Sequence, residues 1–199
     1  MIVVYGMSTS SCKKKVDEQP NSPESDSVIT PYSFYFQGIF DGQPISYQVG
    51  VDTYEYGFGH SNTSHTPLNP IITETASIYS WSRIPAAGIG IRKKFKIAPT
   101  PAQRDSMFLV QSYPYYNTPD STEGAVVFIQ DSRGVEWSTD LGSGDQTGST
   151  FQIVEQIKDI VPQTRAITKA VFSCKLYDGK GHSKMLMSGS FRGRCIFDY

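Results

Sequence analysis

The chain has 199 residues, of which 13% are aromatic and only 19% are charged, and its formal net charge is −1. This length suits one domain, and the near-neutral charge disfavours a nucleic-acid-binding role because no overall field attracts polyanions. The many Tyr, Phe, Thr, Ser and Gly residues favour half-buried β-strands over helices.

The N-terminal segment, residues 1–12, has features of an export signal. Small residues precede Cys12 and three lysines follow it, as at the processing site of a bacterial lipoprotein. We therefore predict Cys12 as a lipidation site. The apolar run Ile2–Tyr5 is shorter than the roughly 7–15 residues of a typical signal, and an ordinary N-terminus with an incidental cysteine is the alternative.

Residues 13–30 are predicted to be a disordered polar linker. They are rich in Ser, Pro, Asp and Glu and show no apolar periodicity. Such a segment cannot bury enough surface to offset its ordering entropy. No stretch of the sequence reaches the ~20 apolar residues of a membrane-spanning helix, so we expect membrane contact only through the lipid.

Residues 31–199 are predicted to form a single β domain. Its first hairpin joins two alternating strands through Asp41-Gly42, because a type I′ turn needs positive φ at both central positions. The elements predicted next are a long polar loop over 50–70, a strand over 71–83, an interruption at 85–90 and a strand over 91–97.

The C-terminal half contains the one predicted helix, over 102–111, capped by Thr100 or begun by Pro101. A second hairpin follows over 125–139. Further strands are predicted at 150–157, 166–177 and 184–197, with a bulge at Ser188–Ser190. The count of about eight to ten strands predicts an all-β antiparallel sandwich, with a closed barrel as the alternative.

The cysteine spacing matches neither a zinc motif nor a redox pair. A turn at 178–181 places Cys174 opposite Met185–Ser188 and not opposite Cys195. A direct bridge between these cysteines within the hairpin is therefore disfavoured, and two buried thiols are expected.

No recognised constellation predicts a catalytic residue, a cofactor or a metal. His60 and His65, near Asp52 and Glu55, fit no tetrahedral spacing. The loop 141–148 resembles a calcium loop only in composition. An enzyme remains an open alternative without positive support.

Aromatic residues with polar neighbours are the candidate ligand-binding residues. Flat rings stack on sugar faces and are also favoured in protein interfaces. For Trp81 and Trp137 the alternative is core packing, and a loop tyrosine could instead cap an end of the sandwich. The candidates are Tyr54, Tyr56, Tyr113, Tyr115, Tyr116 and Trp81.

Three segments, 34–47, 124–151 and 172–197, resemble small uncharacterised lipoproteins of Bacteroidota bacteria. The middle segment resembles their D-x-x-G-x-x-W-S-T hairpin, here Asp131–Thr139. The last resembles their F-x-C-x-L-Y-D-G-x-G hairpin, here Phe172–Gly181. The resemblance implies a sandwich-like domain at the outer membrane, facing the periplasm or the cell surface, and supplies no active-site residues.

These observations predict a lipid-anchored binding module of the cell envelope, without catalysis, for a saccharide or another extracellular polymer. The first alternative is a structural or adhesive protein that binds an envelope protein. The second is a hydrolase whose site residues converge only in the fold.

Overall fold

The structure is a computed structural model that describes residues 34–62, 70–80, 85–116, 123–158 and 165–196. Almost every element in these ranges is a β-strand, which confirms the predicted all-β class. Cys12 and Trp81 lie outside the described residues. The strands are β1 (Tyr35–Phe40), β2 (Gln43–Gln48), β3 (Glu55–Asn62), β4 (Ile71–Tyr79), β5 (Ala86–Lys94), β6 (Gln111–Ser112), β7 (Gly124–Gln130), β8 (Glu136–Ser138), β9 (Thr150–Lys158), β10 (Arg165–Tyr177) and β11 (Ser183–Ile196).

These eleven strands belong to one antiparallel sheet that curls over a common core. The main strand order is β2-β1-β11-β10-β8-β7-β5-β4-β3, while β9 pairs with β10 and β6 pairs with β9. The curl brings β11 close to β3 and β4. The two halves of the curled sheet therefore face one another as the layers of a sandwich do, although the described strands form one continuous sheet.

The first hairpin is confirmed. Asp41 and Gly42 have φ angles of 52° and 78°, so both central residues of the turn are left-handed. Phe40 pairs with Gln43 directly before and after this turn. The two-residue loop matches the twist of the flanking strands, as expected for a type I′ turn.

Two segments that the sequence predicts as irregular are strands. Glu55–Asn62 lies within the predicted loop but pairs along its whole length with β4. Ala86–Gly90 lies within the predicted interruption but belongs to β5. A Cβ atom at Gly88 would lie 2.4 Å from the carbonyl oxygen of Ala76, so glycine permits the close approach of β4 and β5. Tertiary pairing thus overrides weak local preference in both segments.

The predicted helix is present but shorter than expected. α1 (Pro101–Asp105) continues into a 3₁₀ turn at Ser106–Phe108. Thr100 caps it reciprocally: its Oγ1 accepts from the backbone N–H of Gln103, and the Gln103 side chain accepts from the backbone N–H of Thr100. Helical segments long and apolar enough to cross a bilayer are absent from the described ranges.

Aromatic rings form the centre of the core. The Phe172 ring centroid lies 5.6 Å from that of Phe36 and 5.8 Å from that of Phe151. Phe36 also stacks on Tyr47 at 6.3 Å. These rings come from four strands, so their burial joins β1, β2, β9 and β10 into one apolar unit.

The two described cysteines are free and buried, as the predicted register requires. Cys174 pairs with Leu186, whereas Cys195 pairs with Ala166 at the other end of the hairpin. Burial raises the pKa of each thiol to about 12. Both therefore stay protonated and behave as small core residues.

The predicted bulge interrupts the pairing of β10 with β11. Phe172 pairs with Gly189, but the next pair is Cys174 with Leu186. Ser188 takes a positive φ of 51° inside this irregularity. A Cβ at Gly189 would lie 2.3 Å from two ring carbons of Phe172, so the ring occupies the space that a larger residue would need.

Gly189→Ala should lower the free energy of unfolding by about 1–3 kcal/mol, the usual cost of overpacking a filled core. The φ of Gly189 is not positive, so the cost is steric and does not come from backbone strain. Urea unfolding followed by tryptophan fluorescence measures it, with Ser190→Ala as the neighbouring control. Equal stability of the two variants would contradict the proposed contact.

Candidate functional site

An open groove of about 710 Å³ lies on the surface formed by β6, β9, β10 and β11. We call it the polar groove. It lies beside the bulge in the pairing of β10 with β11. Its lining residues are Ser112, Tyr113, Ser149, Thr150, Phe151, Gln152, Val171, Phe172, Ser173, Ser188, Gly189 and Ser190.

Strand register brings the groove's polar side chains together. Val171 pairs with Gln152 on one side and with Ser190 on the other, so these three residues form one row across the sheet. Ser173 pairs with Thr150 in the next row, and their hydroxyl oxygens are 3.3 Å apart. The rows present hydroxyl and amide groups that both donate and accept hydrogen bonds.

The groove is uncharged. None of the described residues that line it is acidic or basic. Phe151 and Phe172 lie beneath it and are almost completely buried. A neutral polar surface over an apolar floor suits an uncharged ligand that carries hydroxyl groups, and the volume is within the usual range for ligand sites.

Of the predicted tyrosines, only Tyr113 lines this groove. Its ring is half-buried and meets Phe151 edge-on at 6.2 Å, and its hydroxyl donates to the carbonyl of Leu109 at 2.9 Å. Tyr116 is buried, with the guanidinium carbon of Arg92 3.9 Å from its ring centroid. Its ring face is therefore already covered.

Tyr115 lies below the groove, where its hydroxyl contacts backbone carbonyls. Its hydroxyl lies 2.9 Å from the carbonyl oxygen of Thr150 and 3.0 Å from that of Ser173. Burial raises its pKa well above the ordinary value of 10.0. The hydroxyl thus stays protonated, and its one hydrogen is shared between the two carbonyls at the point where β9 and β10 support the groove.

The remaining candidate rings lie away from the groove. Tyr54 is buried, and its ring centroid is 5.2 Å from that of Tyr47. Tyr56 is half-buried and packs edge-on against Phe34 at 5.9 Å. Trp137 is buried in the core, and its Nε1 donates to Asp131 at 3.2 Å.

Tyr115→Phe should lower the free energy of unfolding by about 1 kcal/mol, because part-buried carbonyls lose their hydrogen-bond donor. Tyr113→Phe is the matched control, since its hydroxyl bonds a carbonyl in an exposed setting and should cost less. Thermal or urea unfolding of both variants measures the two losses of stability. A larger loss for Tyr113→Phe would contradict the assigned roles.

The sequence gives no signal for the groove as a whole, because its lining comes from four strands. The sequence does contain a weaker indication of the groove's polar lining. Small hydroxyl residues alternate at Ser188 and Ser190 and recur at Ser173 and Thr150. Only the register of β9, β10 and β11 places these residues side by side.

The histidine region does not form a metal site in the described residues. His65 lies outside them, and no group of three or more potential ligands occurs within them. Nδ1 of His60 instead lies 2.8 Å from Oε1 of Glu74. In the loop 141–148, Asp145 accepts hydrogen bonds from Thr147 and pairs with Lys175 at 2.9 Å.

Glu74 is a buried carboxyl that the sequence analysis missed. The sequence signal for it is that Glu74 is the one charged residue in strand β4. Besides His60, Arg104 lies 3.7 Å from its Oε1. Burial raises the pKa of Glu74 above 4.5 and outweighs the opposing effects of His60 and Arg104.

Glu74→Gln should change how stability depends on pH. Because the native pKa is raised, protonation favours the folded state, and this contribution is lost as pH rises from 4.5 through the folded-state pKa. The variant should therefore gain stability relative to the native protein over the pH range that begins near 4.5, the unfolded-state pKa. Denaturant unfolding across this range measures the difference. The exposed Glu136→Gln is the control, and a parallel pH profile for the two variants would contradict the effect.

Comparison with known proteins found no match: no family model, no curated protein and no solved structure matches the chain.

Proposed function

We propose that the protein is a binding module whose polar groove takes a neutral saccharide or a similar hydroxyl-rich polymer. The observation that carries this proposal is the uncharged lining of a groove of about 710 Å³ beside an aromatic side chain. Sugar hydroxyls exchange hydrogen bonds with Ser, Thr and Gln side chains. The less polar face of a sugar ring packs against aromatic surface such as that of Tyr113.

An open groove favours a polymer over a small enclosed ligand. The lining residues of four strands lie along one surface and do not surround a cavity. A chain of several sugar units can therefore enter from the side without a conformational change. Affinity would come from many weak contacts, so recognition of a polymer is expected to exceed that of a single sugar.

The proposed location is the bacterial cell envelope, with the protein held at the outer membrane by a lipid on Cys12. This part rests on the sequence features around Cys12 and the polar linker 13–30. The resemblance to Bacteroidota lipoproteins supports the same location. Metabolic labelling with a fatty-acid probe, compared between the native protein and Cys12→Ser, distinguishes a lipidated cysteine from an incidental one.

A second candidate function is the binding of an envelope protein. Ile39 and Met187 pair across β1 and β11, and Met185 lies two residues from Met187. All three side chains are exposed. Adjacent exposed apolar side chains are a feature of protein interaction surfaces. Cross-linking in intact cells separates this candidate from saccharide binding.

Val171→Arg should weaken polysaccharide binding by about tenfold or more, equivalent to about 1.4 kcal/mol, because a long charged side chain would fill the neutral groove. Val171 is 37% exposed, so the substitution leaves the core intact. The control is Val51→Arg, at a valine that is 44% exposed outside the groove. A glycan array identifies ligands and calorimetry compares the variants. Equal binding by both variants, or no polysaccharide bound by the native protein, would refute the proposal.

A further inference from the structure

The edges of the sheet differ in how well they are protected against pairing with a further strand. Among the described strands, the main path ends at β2 and at β3, and a side branch ends at β6. β2 contains Pro44, which has no backbone N–H to donate, and β6 has only two residues. A proline and a very short strand are both means by which proteins block an exposed edge. The edges at β2 and β6 are therefore poorly suited to strand addition.

Strand β3 lacks these protective features. It has eight residues and contains no Pro, Lys or Arg. Within the described ranges it pairs with β4 and with no other strand. The outward backbone N–H and C=O groups around Phe58 are thus a template for another strand. The Phe58 side chain is also 46% exposed, so an apolar ring lies beside this edge.

The opposite side of β3 is firmly attached to the sheet. All eight residues of β3 pair with β4 in one unbroken register. Nδ1 of His60 lies 2.8 Å from Oε1 of the buried Glu74, and the Thr75 hydroxyl donates to the carbonyl of Gly59 at 3.2 Å. These contacts order the edge before a partner arrives. A preformed edge lowers the entropic cost of adding a strand.

The sequence of β3 suits antiparallel pairing with a second copy of itself. A two-fold axis perpendicular to the sheet keeps each side chain on its own face, so one residue must lie opposite its own copy. An axis centred on Phe58 places the two exposed rings side by side, and it pairs Glu55 with Ser61 of the second copy. Aromatic pairs on neighbouring strands stabilise a sheet.

The charges of β3 favour the same arrangement. Glu55 at one end is its one acidic residue, and His60 near the other end is basic when protonated. Antiparallel pairing brings the Glu55 end of each copy to the His60 end of the other. The two Glu55 residues are then about 20 Å apart along the strands. Parallel pairing would instead place the two carboxylates opposite one another, which destabilises a sheet.

We infer that the protein forms a two-fold homodimer through the edge of β3, with Phe58 opposite Phe58 of the second copy. The backbone groups of the two β3 strands exchange hydrogen bonds and join the two curled sheets. Both copies use the same surface, so the assembly closes at two chains. The inference is independent of the proposed function, because β3 contributes no residue to the polar groove.

The first test is the mass of the full chain in solution, measured by sedimentation equilibrium. Every sample carries Cys12→Ser, which removes the proposed lipid and its thiol. From about 1 to about 200 μM, the mass should rise from 22.1 kDa toward twice this value. Phe58→Lys should weaken dimerisation by about tenfold or more, because two ammonium groups would face one another. The control Ile97→Lys, at a 64% exposed side chain outside the strands, should dimerise as the native protein does.

The second test locates the interface with Phe58→Cys. Facing residues of an antiparallel pair have Cα atoms about 4.5–5.5 Å apart, which is within the range of a disulfide. Mild oxidation should therefore link most chains into covalent dimers, as seen on a non-reducing gel. Cys174 and Cys195 are buried and free, so they contribute little background. The control Ile97→Cys should remain largely unlinked.

A dimer that Phe58→Lys weakens and Phe58→Cys links supports the inference. A native protein that stays monomeric over the whole concentration range would overturn it. Equal linkage of Ile97→Cys would show random collision, and a dimer that residue 58 fails to link would show a different interface; either result also overturns it. A monomer that cross-links from residue 58 to another protein in intact cells would identify a foreign strand as the occupant and reject the second copy.

Discussion

The bulge in the pairing of β10 with β11, next to the Phe172–Gly189 pair, is the constraint on which much of this structure depends. β10 and β11 are the two longest strands, and β10 also pairs with β8 and β9. The Phe172 ring fills the position that a side chain at residue 189 would occupy and joins the aromatic core through Phe36 and Phe151. The absence of a side chain at Gly189 and the irregular pairing of β10 with β11 thus link the curvature of the sheet to the packing of its core.

The same irregularity separates two kinds of surface along this hairpin. Around the bulge, the sheet presents serine, threonine and glutamine side chains without charge. In the turns 131–134 and 178–181, aspartates bond to their own backbones and also pair with the exposed basic side chains of Arg133 and His182. One scaffold thus carries an uncharged polar surface around the bulge and ion-paired side chains at these turns.

Some local features follow directly from nearby residues. Asp41-Gly42 predicts a type I′ hairpin, and Thr100-Pro101 predicts a helix start. The turn at 178–181 predicts that Cys174 faces the stretch Met185–Ser188, and its partner is Leu186. By contrast, the edge strand β3 has alternating aromatic residues at Tyr56 and Phe58, but its glycines and polar residues weaken this strand signal, so its pairing with β4 was missed. Local chemistry specifies turns and caps, but strand pairing can impose structure where local preference is weak.

The sequence by itself determined the all-β class, the principal hairpins and the separate thiols, because alternation and turn residues act over short distances. It also identified aromatic residues as candidate ligand-binding residues, but their burial in the fold determines which of them a ligand can reach. Tyr54, Tyr115 and Tyr116 lie in the packed interior, whereas Tyr113 borders the polar groove. Only tertiary structure could decide this, since the groove arises from the register of strands that are far apart in the sequence.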